Sequence, residues 1–181
     1  MRSTRVLLTC AALAAVGVVV GVPLAPFVGG LAAASPPAYA LLAGVYGVMP
    51  LIARRLTGVA GTTTLTTFLV GLVLAAISPI GFLVLVPLLA SALSIDGTLW
   101  VLARLRPAVA SGTGRLLAAA GVSGVVLFAV SLPVFSPEDL AAPVLVATFC
   151  CRLIAQAAAA VVAIVVVALL RRAGVHSSAR T

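Results

Sequence analysis

The sequence contains no lysine and only three acidic residues, Asp96, Glu138 and Asp139. A Walker-type phosphate loop needs a lysine to reach the phosphates, so its absence excludes ATP hydrolysis by that route. Histidine occurs once, as His176 in the polar tail. No Ser-His-Asp or Cys-His arrangement and no paired carboxylates can therefore sit within apolar sequence, and an intramembrane enzyme is disfavoured. The three cysteines, Cys10, Cys150 and Cys151, have no metal-ligand spacing, and the adjacent pair seldom bridge each other. No catalytic residue, metal or cofactor is expected. Charge of either sign is scarce: 8% of residues are charged and 64% are hydrophobic. A soluble domain carries about a quarter charged residues and is about half apolar, so the solvent for this sequence is lipid. The net charge of +8 is no nucleic-acid signal, because the arginines are dispersed and no aromatic-interleaved basic patch exists.

The arginines carry the organisation. They fall into four clusters: Arg2 with Arg5; Arg54 with Arg55; Arg104 and Arg106 with Arg115; Arg171 and Arg172 with Arg180. Apolar sequence long enough for two membrane passes lies between successive clusters. Cytoplasmic loops hold arginine in excess, so all four clusters read as cytoplasmic. The expectation is an all-α integral membrane protein: one domain over 1–181, six transmembrane helices, N- and C-termini cytoplasmic, in a bacterial cell membrane. The spans are expected at about 6–22, 38–53, 59–77, 80–103, 116–134 and 140–170. The first stretch also has the parts of a signal peptide, with a basic start, an apolar core and small residues at 32–34. The arginine alternation is best met if it is kept as a span.

Residues 23–37 hold isolated prolines, a glycine pair and a proline pair, which predicts an external loop. Ser78 and Pro79 predict a tight external turn. Ser136, Pro137, Glu138 and Asp139 predict another, and a helix start with acids in its first turn. The last stretch is about 46 Å long at 1.5 Å per residue. A bilayer core is about 30 Å thick, so this helix must tilt, project or break, with Pro143 as a candidate break.

Arg152 is the one arginine outside the clusters. It lies about 28 Å along the axis from Arg171, which predicts a position near the outer edge of the hydrocarbon. A charge in a span faces a cavity or a partner. Arg152 therefore either contacts a solute from outside, with Gln156 one turn below on the same face, or reaches the external headgroups or the Glu138 and Asp139 acids. Asp96 sits about 12 Å from the inner end of its span. It is either a polar floor or a subunit contact, with Ser91 and Ser94 nearby, or a structural bond to the threonines at 62–67. Tyr39 and Tyr46 are seven residues apart and so share a helical face. They either stack on a heterocycle or serve as an interface anchor and a packing residue. Trp100 reads as an interface anchor. Ala11 and Ala15 make a small-xxx-small pair that lets helices approach closely.

Several of these residues carry a resemblance. Pro37, Ala38 and Tyr39, followed by Gly44, Val45, Tyr46 and Gly47, resemble a P-x-Y…G-x-Y-G stretch in span two of the substrate-binding S components of energy-coupling factor (ECF) vitamin transporters. The similarity continues through Arg55 and Gly58, then Gly71, Ser78, Pro79 and Gly81, and on to Leu93, Ser94 and Asp96. It covers about residues 37–100, and the six-span layout extends it. Within the group the chain is most similar to the hydroxymethylpyrimidine/thiamine-precursor type. It departs where Ser91, Ala92 and Leu93 stand in place of a Gln-Gly-Leu, and it has no acidic residue early in span three.

The resemblance implies that a vitamin-like solute is captured from outside. It implies docking on a transmembrane T component that rests on two ATPase subunits. Tyr39, Tyr46, Arg152 and Gln156 would then line the pocket, with Asp96 as its floor and the 23–37 loop as its lid. Ala11 and Ala15 would face the T component. The competing reading is a non-transporting membrane scaffold. It explains the small residues equally well but not a lone arginine inside apolar sequence.

Overall fold

The computed structural model describes residues 2–78, 80–105, 112–135 and 141–174. Helix accounts for nearly all of them, and no strand occurs among them. The elements are α1 (Arg2–Ala34), α2 (Pro36–Ala43), α3 (Val48–Thr57), α4 (Thr62–Ile77), α5 (Leu85–Leu105), α6 (Gly112–Ser131) and α7 (Ala142–Arg172). Short 3₁₀ turns at Gly44–Gly47, Gly81–Val84 and Leu132–Val134 join or extend them. Among the described residues, five helical stretches are long and apolar enough to cross a membrane: Thr4–Ala32, Pro36–Thr57, Gly81–Leu105, Gly112–Ser131 and Ala142–Arg172. Helix Thr62–Ile77 is apolar but shorter, at about 24 Å.

Residues 23–37 are helical and not the loop that their prolines and glycines predict, apart from the break at Ser35 between α1 and α2. Helix α1 runs unbroken for 33 residues to Ala34, with Pro23 and Pro26 inside it. In an apolar environment a loop would leave a run of backbone N–H and C=O groups without partners, whereas two prolines cost only their own hydrogen bonds. Those bonds would have ended on the carbonyls of Val19 and Val22. Between them, the Gly21 carbonyl accepts a hydrogen bond from the Tyr46 hydroxyl at 3.3 Å. Pro143 likewise breaks nothing. It occupies the first turn of α7, where its missing N–H has no helical acceptor to lose. The turn expected at 136–139, the loop residues Arg106 and Pro107, and Pro79, His176 and Arg180 lie outside the described residues.

The second span stands at the centre. Helices α2 and α3 pack on α7 and α1, and α3 also packs on α4. Around them α1 meets α4, α4 meets α5, α5 meets α6 and α6 meets α7. Leu51, Ile52 and Leu56 of α3 are buried against Ile95 and Leu99 of α5, Leu116 and Ala120 of α6, and Ala160, Ala163 and Val167 of α7. The alanines on α7 let the central helix come close. At Gly44 a Cβ would fall 2.6 Å from the Cβ of Ala155 and 3.1 Å from its carbonyl oxygen. Only glycine fits that crossing.

Helix α3 ends at Gly58, whose φ of 66° is the left-handed conformation glycine takes without strain. A tight turn then reverses the chain into α4. Consecutive spans alternate in direction, and this alternation brings most of the described arginines to one end of the bundle. There Arg55 donates to the Thr113 hydroxyl (3.0 Å), and Arg171 donates to the Arg55 carbonyl (3.3 Å). The Arg104 guanidinium lies 4.5 Å from the Trp100 ring centroid, and Trp100 is itself 52% exposed. An exposed indole one turn inside the basic end suits an interface anchor.

Candidate functional site

Three helices bring a polar cluster together at the end opposite the arginines. Helix α7 supplies Arg152 and Gln156, α6 supplies Ser131 at its last residue, and α2 supplies Tyr39 one turn from its start. Arg152 is 2% exposed and Gln156 is 1% exposed. The Arg152 backbone lies beside Gly124, in the body of α6. From there its side chain extends seven residues further along α6, to Ser131. Arg152 Nη2 donates to Ser131 Oγ at 3.0 Å. Ser131 spends its own proton on the Leu127 carbonyl at 2.7 Å, which turns its lone pairs toward the guanidinium. The Tyr39 ring covers one face, 5.0 Å from the guanidinium carbon to the ring centroid. Arg152 thus reaches outward, as a snorkelling arginine does, but stays inside the bundle.

The cluster is incompletely matched. The Arg152 guanidinium has a neutral hydroxyl and a ring face as partners, and its buried Nε–H has no acceptor. The buried Gln156 Oε1 has no donor. Insertion scales put the cost of a charge at a helix centre at about 2.5–3.5 kcal/mol, falling where it is paired or hydrated. The described residues contain one acid, Asp96, and it is engaged elsewhere. Glu138 and Asp139 lie outside the described residues.

Asp96 belongs to the basic end. Its Oδ2 accepts from the Thr64 backbone N–H at 3.0 Å and from the Thr64 hydroxyl at 2.9 Å. Its Oδ1 is 3.6 Å from Arg54 Nε. Thr64 is the third residue of α4, and the residue at the helix cap is Gly61, which has no side chain to offer. Asp96 therefore caps α4 from a neighbouring helix and puts its charge at the positive end of the helix dipole. This is the structural bond to the threonines that the sequence left open, with Arg54 added. Ser91 turns instead to α6, where it shares a 2.7 Å hydrogen bond with Ser123, and Ser94 bonds back to the Ser91 carbonyl at 2.7 Å.

Tyr39 and Tyr46 meet different neighbours, Arg152 of α7 for the first and Gly21 of α1 for the second, so the pair does not line one site as the sequence predicts. The Gly44–Gly47 turn between them is 3₁₀, advancing about 120° per residue in place of about 100°. That adds about 60° between the two residues, and Tyr46 turns to α1 while Tyr39 lies over Arg152 of α7. Its ring packs on Gly21 and lines a cavity of about 80 Å³ with Gly17, Met49 and Val70. That cavity and an open apolar groove of about 690 Å³ beside Asp96, Phe68 and Leu93 are lined by none of the four cluster residues. Ala11 and Ala15 are exposed on the outer face of α1, while Cys10 and Ala14 face inward. Of the five residues expected around one solute, Tyr39, Arg152 and Gln156 lie together. Tyr46 and Asp96 do not join them. Ser131 was missed: a serine at the end of a span carries no signal until the helix it faces is known. No known protein family, characterised protein or solved structure matches the chain.

Proposed function

We propose that this chain is the solute-binding membrane subunit of an ECF-type importer. In this reading six spans cross a bacterial cell membrane, the arginine-rich end is cytoplasmic, and both termini lie on that side. Arginine excess on one side supports that orientation. A vitamin or vitamin-precursor solute enters from the opposite side and is held by Arg152, Gln156, Ser131 and Tyr39. The exposed Ala11 and Ala15 face of α1 docks on a T component, whose two ATPases supply the energy, since this chain has no Walker-type lysine.

The observation that carries the reading is the buried cluster itself. Polar and charged side chains inside an apolar bundle are expensive and mark functional sites. A scaffold whose helices pack against another complex accounts for the alanine face but has no use for an internal guanidinium. The test is thermal unfolding of the purified chain against a panel of vitamins and their precursors. A ligand at 100 times its Kd stabilises by about 2.7 kcal/mol, a rise of several degrees. If no solute raises the midpoint, and reporters fused after α7 and between α4 and α5 lie on the same side of the membrane, capture and topology are both refuted.

A further inference from the structure

We infer that the solute held at Arg152 is an anion: a small molecule bearing a carboxylate or phosphate, with an N–H or O–H donor on the same molecule. The inference deepens the solute-capture reading above and rests on it. It comes from what the cluster leaves unmatched. The guanidinium carries a full positive charge, 2% exposed, and its described contacts are a hydroxyl oxygen and a ring face. Neither neutralises it. Its Nε–H is buried without an acceptor. Nε–H and a neighbouring Nη–H form the fork that receives a carboxylate or phosphate side-on. Ser131 holds that fork in place, because its proton is committed to Leu127 and its lone pair is free for Arg152.

The second group is of the opposite kind. Gln156 Oε1 is buried and lacks a donor. It lies one helical turn from Arg152 on the same face of α7, a separation of about 5–6 Å between Cβ atoms. A Cβ at Gly47 would touch Gln156 Oε1 at 3.4 Å, so the bare glycine backbone is what faces that oxygen from the central span. One ligand that supplies an anionic oxygen to Arg152 and a donor to Gln156 satisfies both. Tyr39 is partly exposed at the mouth of the cluster and offers its ring to a flat portion of the same molecule. A cationic vitamin such as thiamine would meet an uncompensated positive charge. The charge therefore points away from the thiamine end of the resemblance, toward acids and phosphate esters.

The experiment is thermal unfolding of the full-length chain in detergent with matched probes: nicotinate against nicotinamide, pantothenate against panthenol, biotin against biotinamide. Hydroxymethylpyrimidine phosphate against hydroxymethylpyrimidine separates phosphate from carboxylate, and thiamine is the cation. The expected result is that the acid of one pair shifts the midpoint and its neutral partner needs at least tenfold more. The shift is lost in Arg152→Met and weakened in Arg152→Lys, which keeps the charge without the fork. Without ligand, Arg152→Met is as stable as the parent or more so, since an apolar side chain replaces an unmatched buried charge.

Equal stabilisation by both members of a pair, or by thiamine, overturns the anion inference and leaves solute capture standing. Stabilisation by none of the probes or of the wider panel sinks capture and the inference together. A lower midpoint in Arg152→Met, reproduced by Glu138→Gln with Asp139→Asn, identifies an internal ion pair and also overturns the inference.

Discussion

Replacing Gly44 by alanine should drive the central span away from α7 and loosen the cluster that α2 and α7 build. A Cβ at Gly44 would lie 2.6 Å from the Ala155 Cβ, 3.1 Å from its carbonyl oxygen and 3.2 Å from its carbonyl carbon. Carbon atoms pack at about 3.5–4.0 Å, so the helices must part by about 1 Å. Two of the three contacts are backbone, and no rotamer change relieves them. Overpacking of this kind costs about 1–3 kcal/mol. For a chain of this size each kcal/mol moves the midpoint by about 2–4 °C, so the expected fall is about 2–12 °C.

The buried Cys10 is a ready reporter. With Cys150 and Cys151 replaced by serine, a thiol-reactive dye reads the unfolding of α1 from its neighbours. Ala155→Gly in the same chain removes the closest contact and leaves the backbone ones. It should recover part of the loss, a coupling of about 0.5–3 kcal/mol as expected for residues in contact. The substitution should also lift Tyr39 from the Arg152 guanidinium and weaken any ligand-induced shift. A Gly44→Ala midpoint within a degree of the parent, or strict additivity with Ala155→Gly, would refute the crossing geometry and with it the placement of Tyr39 over Arg152.

Three further outcomes follow from the same packing. Gly29 and Gly30 lie inside α1 with nothing within 4 Å of a built Cβ; alanine at both should stabilise by about 0.5–1 kcal/mol each, and a loss on thermal melts would restore the loop reading of 23–37. Asp96→Asn keeps an oxygen for the Thr64 N–H but loses the charge facing Arg54, whereas Asp96→Ala loses both. Thermal melts should show Asp96→Ala the worse by about 1 kcal/mol, the worth of a helix cap, and equal midpoints would argue that the cap contributes nothing. Ser91→Ala and Ser123→Ala should each cost little, about 0.6 kcal/mol for an interhelical bond in a membrane protein; the double variant, which strands no buried hydroxyl, should cost less than the sum, and an additive pair would show that the 2.7 Å bond is not shared between them.

Much of the helical layout was legible in the sequence because lipid leaves the backbone few options. A long apolar run must close its own hydrogen bonds, so its length and its arginine ends announce a helix and group its ends. The same physics overruled the local signals at Pro23, Pro26, Gly29 and Gly30. Turn-forming residues lost there to the cost of unpaired backbone groups. The lone Arg152 was also legible, as a charge with no cluster, and so was Gln156 one turn away. The chain by itself thus determined a helical, multi-pass composition, the common end of its arginines and one internal cation.

The tertiary structure decided which side chains meet. Asp96 and Thr64 are 32 residues apart, and nothing local says that α5 passes the first turn of α4 there. Ser131 meets Arg152 only because α6 and α7 run antiparallel and the arginine side chain extends along the bundle. Tyr39 and Tyr46 part because α7 brings Arg152 to the first and α1 brings Gly21 to the second, with a 3₁₀ turn shifting the helical phase between them by about 60°. Pattern along one helix fixes which residues face inward, but the neighbour each one finds depends on crossing angle, register and the local pitch of two helices at once.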